Sequence, residues 1–352
     1  MSEAAAAYGR LDRLLHRLAL GSKAVAEMTF DMEQARARPD ADAVAGARHV
    51  VVAGLARAGT TVLMRRFHAS GAFRSLTYRD MPFVLAPGLW RKLSGRGKAG
   101  VAAERAHGDG VIVDTESPEG LEEVFWRVFC GDDYLRADSL VPHAVDGETV
   151  EAYRKFVGAV LAAGEGAGEG PGRYLAKNNN AILRLDAVAA ALPRALIVVP
   201  FRDPVDQARS LMSQHRRFTG PEHDDPFTRD YMRWLAHHEF GPGHRPFRMG
   251  GAPAAGEAGP ETIDYWLGLW IDVYGWLADR LPATAVLSCY ETLCDDPAAW
   301  ARLAERAEVA VEIPGADPFS RRSGSASADG ADGALVDRAR ALYETLRTRA
   351  AG

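Results

Sequence analysis

Two kinds of apolar pattern alternate along the chain. Short apolar runs, bounded by turn residues, predict buried strands at His49–Ala53 and Ala195–Pro200, a short strand at Tyr174–Lys177 and another at Ala285–Cys289, with two more at Arg74–Tyr78 and Val111–Asp114. Longer runs, in which apolar residues recur every three or four positions, predict helices over Thr60–Ser70, Phe83–Leu93, Ser117-Pro118 to Phe129, 147–163, Ala181–Leu192, Pro204–Arg217, Thr262–Arg280 and Ala334–Arg349. Gly71 is placed to stop the first of these, and Asp203-Pro204 to start the helix that ends at Arg217. Leu11, Leu14, Leu15 and Leu18 share one face of a further amphipathic helix. Strands alternating with helices predict an α/β fold with a mainly parallel central sheet flanked by helices. Ligands of such sheets bind at the carboxyl ends of the strands.

The punctuation between these runs suggests the domain plan. The Gly- and Glu-rich stretch 164–172 and the Gly- and Lys-rich stretch 94–100 read as loops. The alternation breaks at about 222–260, which reads as a lid insertion in one domain spanning 48–352; residues 1–47 read as an N-terminal helical extension. Composition fits a packed interior: 352 residues, 47% of them hydrophobic. The 42 Lys and Arg against 47 Asp and Glu leave a net charge of −5, so bulk charge points to neither nucleic acid nor an anionic membrane, and any anion site has to be local. Three irregularly spaced cysteines suit neither a disulfide framework nor a zinc site. No membrane span or signal peptide is read from the sequence, and a cytoplasmic protein is expected.

Chemistry concentrates in two places. Gly54-Leu-Ala-Arg-Ala-Gly-Thr-Thr61 joins a predicted buried strand to a predicted helix, an arrangement in which backbone N–H groups and the helix N-terminus surround an anion. A nucleotide triphosphate loop would carry lysine where Thr60 stands, and Arg57 lies inside the loop instead. Taken alone, the loop also fits a plain strand-to-helix turn. The later strand ends in Arg202 rather than in an acid that would hold Mg²⁺. Ser210 follows Asp203 by seven residues, two helical turns, so its hydroxyl returns to the face of the cap, where it and Arg202 can grip one phosphate.

Together Arg57-Ala-Gly-Thr-Thr61 and Arg202-Asp-Pro through Ser210 resemble the 5′-phosphosulfate loop and 3′-phosphate motif of the PAPS-dependent sulfotransferases, whose fold is of the P-loop nucleotide-binding type. Val286 through Pro297 resembles the family's late strand and Y-E-x-L-x-x-D-P turn, so the likeness covers roughly 48–300. Arginine in the loop is more similar to the tyrosylprotein and bacterial branches, while Ala58 departs from the commoner serine. The resemblance implies transfer of a sulfuryl group from 3′-phosphoadenosine-5′-phosphosulfate (PAPS) to a hydroxyl of a small-molecule, carbohydrate or lipid acceptor. It implies 3′,5′-adenosine bisphosphate (PAP) as product and no metal. A kinase-like phosphotransferase and a non-catalytic nucleotide-binding protein are the competing readings.

Within that resemblance Arg57, Ala58, Gly59, Thr60 and Thr61 are expected to hold the 5′ end of the co-substrate, Arg57 also stabilising the leaving phosphate, and Arg202 and Ser210 to hold the 3′-phosphate. Asp80 lies 23 residues after Arg57, where related proteins carry a glutamate base, and is the first candidate for the general base; a helix N-cap or a pairing with Arg79 is its structural alternative. His107 is the second candidate. Lys177-Asn-Asn-Asn180 could orient the sulfate or acceptor, and Arg321-Arg322 could cover the 3′-phosphate. His215, His223, His237, His238 and His244 read as a solvated lid rather than a metal site, and Trp126, Phe129, Trp234 and Trp266 fit either a ring-bearing acceptor or core.

Overall fold

The computed structural model describes residues 9–94, 103–104, 112–113, 120–164, 172–219, 226–321 and 327–351. Helices α1 (Arg10–Gly21), α2 (Lys23–Ala37) and α3 (Ala41–Gly46) precede β1 (Val50–Val52), which feeds α4 (Thr60–Ala69). Then follow α5 (Pro87–Ser94), β2 (Ala103–Glu104), β3 (Ile112–Val113), α6 (Glu123–Tyr134), α7 (Gly147–Ala162) and β4 (Leu175–Lys177). The second half runs through α8 (Leu185–Ala191), β5 (Leu196–Phe201), α9 (Pro204–Thr219), α10 (Pro226–Trp234), α11 (Ile263–Ala278), β6 (Ala285–Cys289), α12 (Tyr290–Asp295), α13 (Pro297–Arg306) and α14 (Gly333–Ala351).

The central sheet has the order β4-β1-β5-β6, and all three pairings are parallel. β1 and β5 at its centre are apolar throughout because both faces are covered, whereas β4 ends in Lys177 and β6 carries Ser288. The period of two divides them cleanly: Val50, Val52 and Val198 pack with Leu63, Phe67 and Trp300 on one face. Val51, Ile197 and Val199 join the larger core on the other, with Trp270 and Tyr274. Val52 is in register with Lys177 and Val198, so the loops that leave β1, β4 and β5 emerge along one edge of the sheet.

The N-terminal helices are stitched into the same core: Phe30 meets the rings of Phe125 at 6.1 Å and Phe129 at 5.0 Å, and His16 lies 5.8 Å from Tyr231 of α10. Trp126, Trp234 and Trp266 are buried, which assigns them to packing.

Three predicted elements come out differently. Arg74–Tyr78 is not a strand of the sheet; Arg74 makes a single bridge to Tyr174, after which the Asp80 carboxylate accepts the Thr77 N–H at 2.9 Å and turns the chain into a 3₁₀ segment, Tyr78–Asp80. Ile112–Val113 pairs antiparallel with Ala103–Glu104 as a separate ribbon. The helix predicted over Ala181–Leu192 divides at Arg184, whose backbone is non-helical while its guanidinium enters a buried ion pair with Glu123 at 2.9 Å. Asn178 caps the preceding 3₁₀ segment Asn179–Leu183 by accepting the Asn180 N–H.

Candidate functional site

The loop after β1 begins with Ala53, whose N–H donates to Val198 at 2.9 Å and keeps the chain in the sheet for one more residue. Two residues then take left-handed backbone, Arg57 at φ 68° and Gly59 at φ 90°. At Gly59 the conformation and the space both demand glycine, since a Cβ would stand 2.4 Å from the Tyr290 ring. Ala58 is fully buried beneath the loop. Thr60 opens α4, whose first-turn N–H groups face this loop without helical partners, the usual cradle for an anion.

Helix α9 arranges the other side. Asp203 caps it, accepting the N–H groups of Val205 at 2.9 Å and Asp206 at 3.0 Å. Gln207, Ser210 and Gln214 follow at helical spacing on one face. Gln207 donates to the Ala56 carbonyl at 2.9 Å and accepts from Trp270 Nε1 at 3.1 Å, which pins the loop to α11. Arg57 Nε donates to Ser210 Oγ at 2.9 Å, so the two sequence motifs, 153 residues apart, meet directly. Arg202 lies against Asp206 at 3.3 Å and Glu291 at 3.7 Å. Glu291 also accepts the Asp203 N–H at 3.1 Å and the Tyr343 hydroxyl at 2.9 Å, so the late Tyr-Glu turn fastens the Arg-Asp-Pro segment in place. Burial raises the Asp203 carboxyl above its ordinary value, more than its capping bonds lower it.

Between these elements lies a pocket of about 60 Å³ that brings together Arg57, Thr60, Thr61, Lys177, His237 and Glu239. Lys177 arrives from the end of β4 and is 8% exposed. Glu239 accepts from Asn179 Nδ2 at 3.0 Å and lies 3.6 Å from His237 Nδ1. Burial pushes its carboxyl up, but the neighbouring His237, the Lys177 ammonium and the Asn179 amide outweigh that and hold it well below the ordinary range. The apolar part of the lining comes from Phe218, Met232 and Phe240.

Asp80 stands elsewhere. It is fully buried, its carboxylate gripped by Arg74 at 2.9 and 3.0 Å, by Arg91 at 3.0 Å and by the Thr77 N–H, and it does not line this pocket. That is the capping and arginine-paired alternative, with Arg74 and Arg91 in place of the neighbouring Arg79. His107 and Arg322 lie outside the described residues. Arg321 is exposed and paired with Asp295. Within the Lys-Asn-Asn-Asn run only Lys177 and Asn179 line the pocket; Asn178 is turned to Glu122 and Glu123, and Asn180 to the Ala236 carbonyl. The sequence gives no sign that His237 and Glu239 line this pocket, because a His-x-Glu pair carries no spacing signal, nor of Gln207, whose contacts exist only once Trp270 and Ala56 are neighbours. Among the described residues no group of three or more His, Cys, Asp or Glu side chains is placed to hold a metal ion.

A family model described as "Sulfotransferase family" matches residues 49–249, a span that holds the loop after β1, β4, the Arg-Asp-Pro helix and His237-Glu239. The chain belongs to the sulfotransferase family, transferases of the sulfuryl group. No curated protein matches it. Among solved structures it is similar to sulfotransferase STF9 from Mycobacterium avium, with 14% identity over 94% of this chain and 75% of that one and a TM-score of 0.48. It is also similar to sulfotransferase STF1 from Mycobacterium tuberculosis H37Rv, with 16% identity over 96% of this chain and 80% of that one and a TM-score of 0.47. A sulfotransferase from Alicyclobacillus acidocaldarius gives 14% identity over 86% of this chain and 97% of that one, with a TM-score of 0.42.

Proposed function

We propose that this chain transfers a sulfuryl group from PAPS to a hydroxyl acceptor. The observation that carries the reading is the contact of Arg57 with Ser210, which makes one site of the two anion-binding elements. The residues fit such a co-substrate: left-handed backbone at Arg57 and Gly59 opens the loop, the N-terminus of α4 supplies N–H donors, and Thr60 and Thr61 supply hydroxyls. Ser210 and Arg202 would hold the 3′-phosphate, Arg202 exchanging its carboxylate partners for phosphate oxygens.

In the transfer, a bond forms from the acceptor oxygen to sulfur as the bond from sulfur to the 5′-phosphate oxygen breaks. The charge gathering on that leaving oxygen falls against Arg57, Lys177 and the N-terminus of α4. The acceptor's proton passes to His237, which lines the pocket and is steered by Glu239. Glu239, held ionised, favours the imidazolium that results. Asp80, enclosed by two arginines, serves the fold. Thr60, where a triphosphate site has lysine, speaks for a sulfuryl rather than a phosphoryl donor.

Calorimetric titration is expected to show PAP binding without Mg²⁺ and well ahead of ATP. Arg57→Ala should retain the fold by circular dichroism and lower turnover with PAPS by roughly 10²–10³-fold. ATP binding in preference to PAP, or an Arg57→Ala enzyme of normal rate, would overturn the assignment.

A further inference from the structure

The small pocket at the phosphate-binding loop is not closed on its outer side. Phe218, Met232, His237 and Phe240 also line a second chamber of about 400 Å³, so the two spaces share one wall. The inner volume admits only a few heavy atoms, whereas the outer one is of the size that holds a small organic ligand. His237 stands at the junction, with the loop on one side and the chamber on the other. A hydroxyl reaching the loop from the chamber therefore passes the imidazole.

Chemistry changes along the way. Near the junction the wall is apolar and aromatic, with the rings of Phe218 and Phe240 stacked at 6.1 Å and 20°. Among the described residues, the lining farther out carries Arg229, Arg233 and Arg245 and one acid, Asp230, which is paired with Arg233 at 2.7 Å. Arg245 is half-buried, and its segment is fixed by its own N–H to the His238 carbonyl at 2.9 Å and by His238 Nδ1 to the Gly243 carbonyl at 3.0 Å. In a chain whose net charge is −5, this is a local cationic mouth on an apolar corridor.

We infer that the outer chamber is the acceptor site and selects hydroxyl compounds with an aromatic or alkyl body and an anionic group at the end away from the reacting hydroxyl. The inference rests on the sulfotransferase reading for the direction of the hydroxyl and on the chamber's own residues for the class of molecule. The apolar body lies along Phe218, Met232 and Phe240, and the anionic end meets Arg245 and its neighbours.

The test uses 3-(4-hydroxyphenyl)propanoate and its neutral amide, titrated by calorimetry into the full chain with and without saturating PAP. The carboxylate is expected to bind roughly five- to tenfold more tightly than the amide, and Arg245→Glu to erase or reverse that ratio while PAP binding is unchanged. Phe240→Ala should weaken both probes together. Equal binding of the two probes, no binding of either, or a ratio untouched in Arg245→Glu would overturn the acceptor class. Loss of PAP binding in the unaltered chain would instead count against the co-substrate reading, because the probe ratio without nucleotide is measured independently.

Discussion

At the scale of single residues, what each side chain does is decided by what surrounds it more than by its type. His244, which the sequence places in a solvated group, is built in: its Nδ1 donates to the His238 carbonyl at 3.1 Å and its Nε2 accepts the Tyr265 hydroxyl at 2.6 Å. Burial first, and the neighbouring His215 second, push its imidazole down to about 4. Its folded value is thus below the ordinary 6.5, and on acidification the unfolded chain takes the proton first. The stability it contributes is present above pH 6.5 and is lost as the pH falls toward 4, on the order of 3 kcal/mol. Thermal unfolding followed from pH 7 to 4.5 should show a flatter fall for His244→Gln than for the unaltered chain; parallel curves would refute the neutral, buried state. Asp80 makes the same point about legibility. Its distance from Arg57 was visible in the sequence, but the closing of Arg74 and Arg91 around it comes from α5 and the Tyr174 bridge, which no local pattern encodes.

Elements were legible wherever their signal was local. The cap of Asp203, the stop at Gly71 with φ 70° and the buried run of β5 all follow from neighbours in the chain. Elements whose form depends on distant partners were not: the division of the helix at Arg184 follows from Glu123, 61 residues away. Helix α9 shows how an element carries function, since Gln207, Ser210 and Gln214 on one face hold, contact and line the site in turn. Gln207→Leu keeps the volume but leaves the Ala56 carbonyl and the Trp270 indole N–H unpaired in a dry interior, and is expected to cost about 2–4 kcal/mol in urea unfolding. It should also weaken PAP binding more than Gln214→Leu does, because Gln207 fixes the loop itself. An effect on stability with PAP affinity unmoved would show that the loop holds its shape without it.

At the scale of the whole molecule, the alternation of strands and helices sufficed for the α/β class and for expecting the loops after β1, β4 and β5 along one edge of the sheet, because parallel strands leave few ways to arrange their loops. It did not reveal that the segment after α9 packs against the loop after β1 and brings His237 and Glu239 beside Arg57 and Thr60. Contacts of that kind depend on the packing of Phe218, Phe240 and Trp266 and have no sequence period. The assembled loop, α9 and the His237-Glu239 pair are proposed to move a sulfuryl group. The most direct measurement is to incubate the chain with sulfur-labelled PAPS and a hydroxyl acceptor and follow the label together with PAP release. Label on the acceptor is expected in equal amount to PAP formed, without added metal, and reduced by roughly 10²-fold or more in His237→Ala. PAP formed with no label on any acceptor, or a His237→Ala rate equal to that of the unaltered chain, would contradict that proposal.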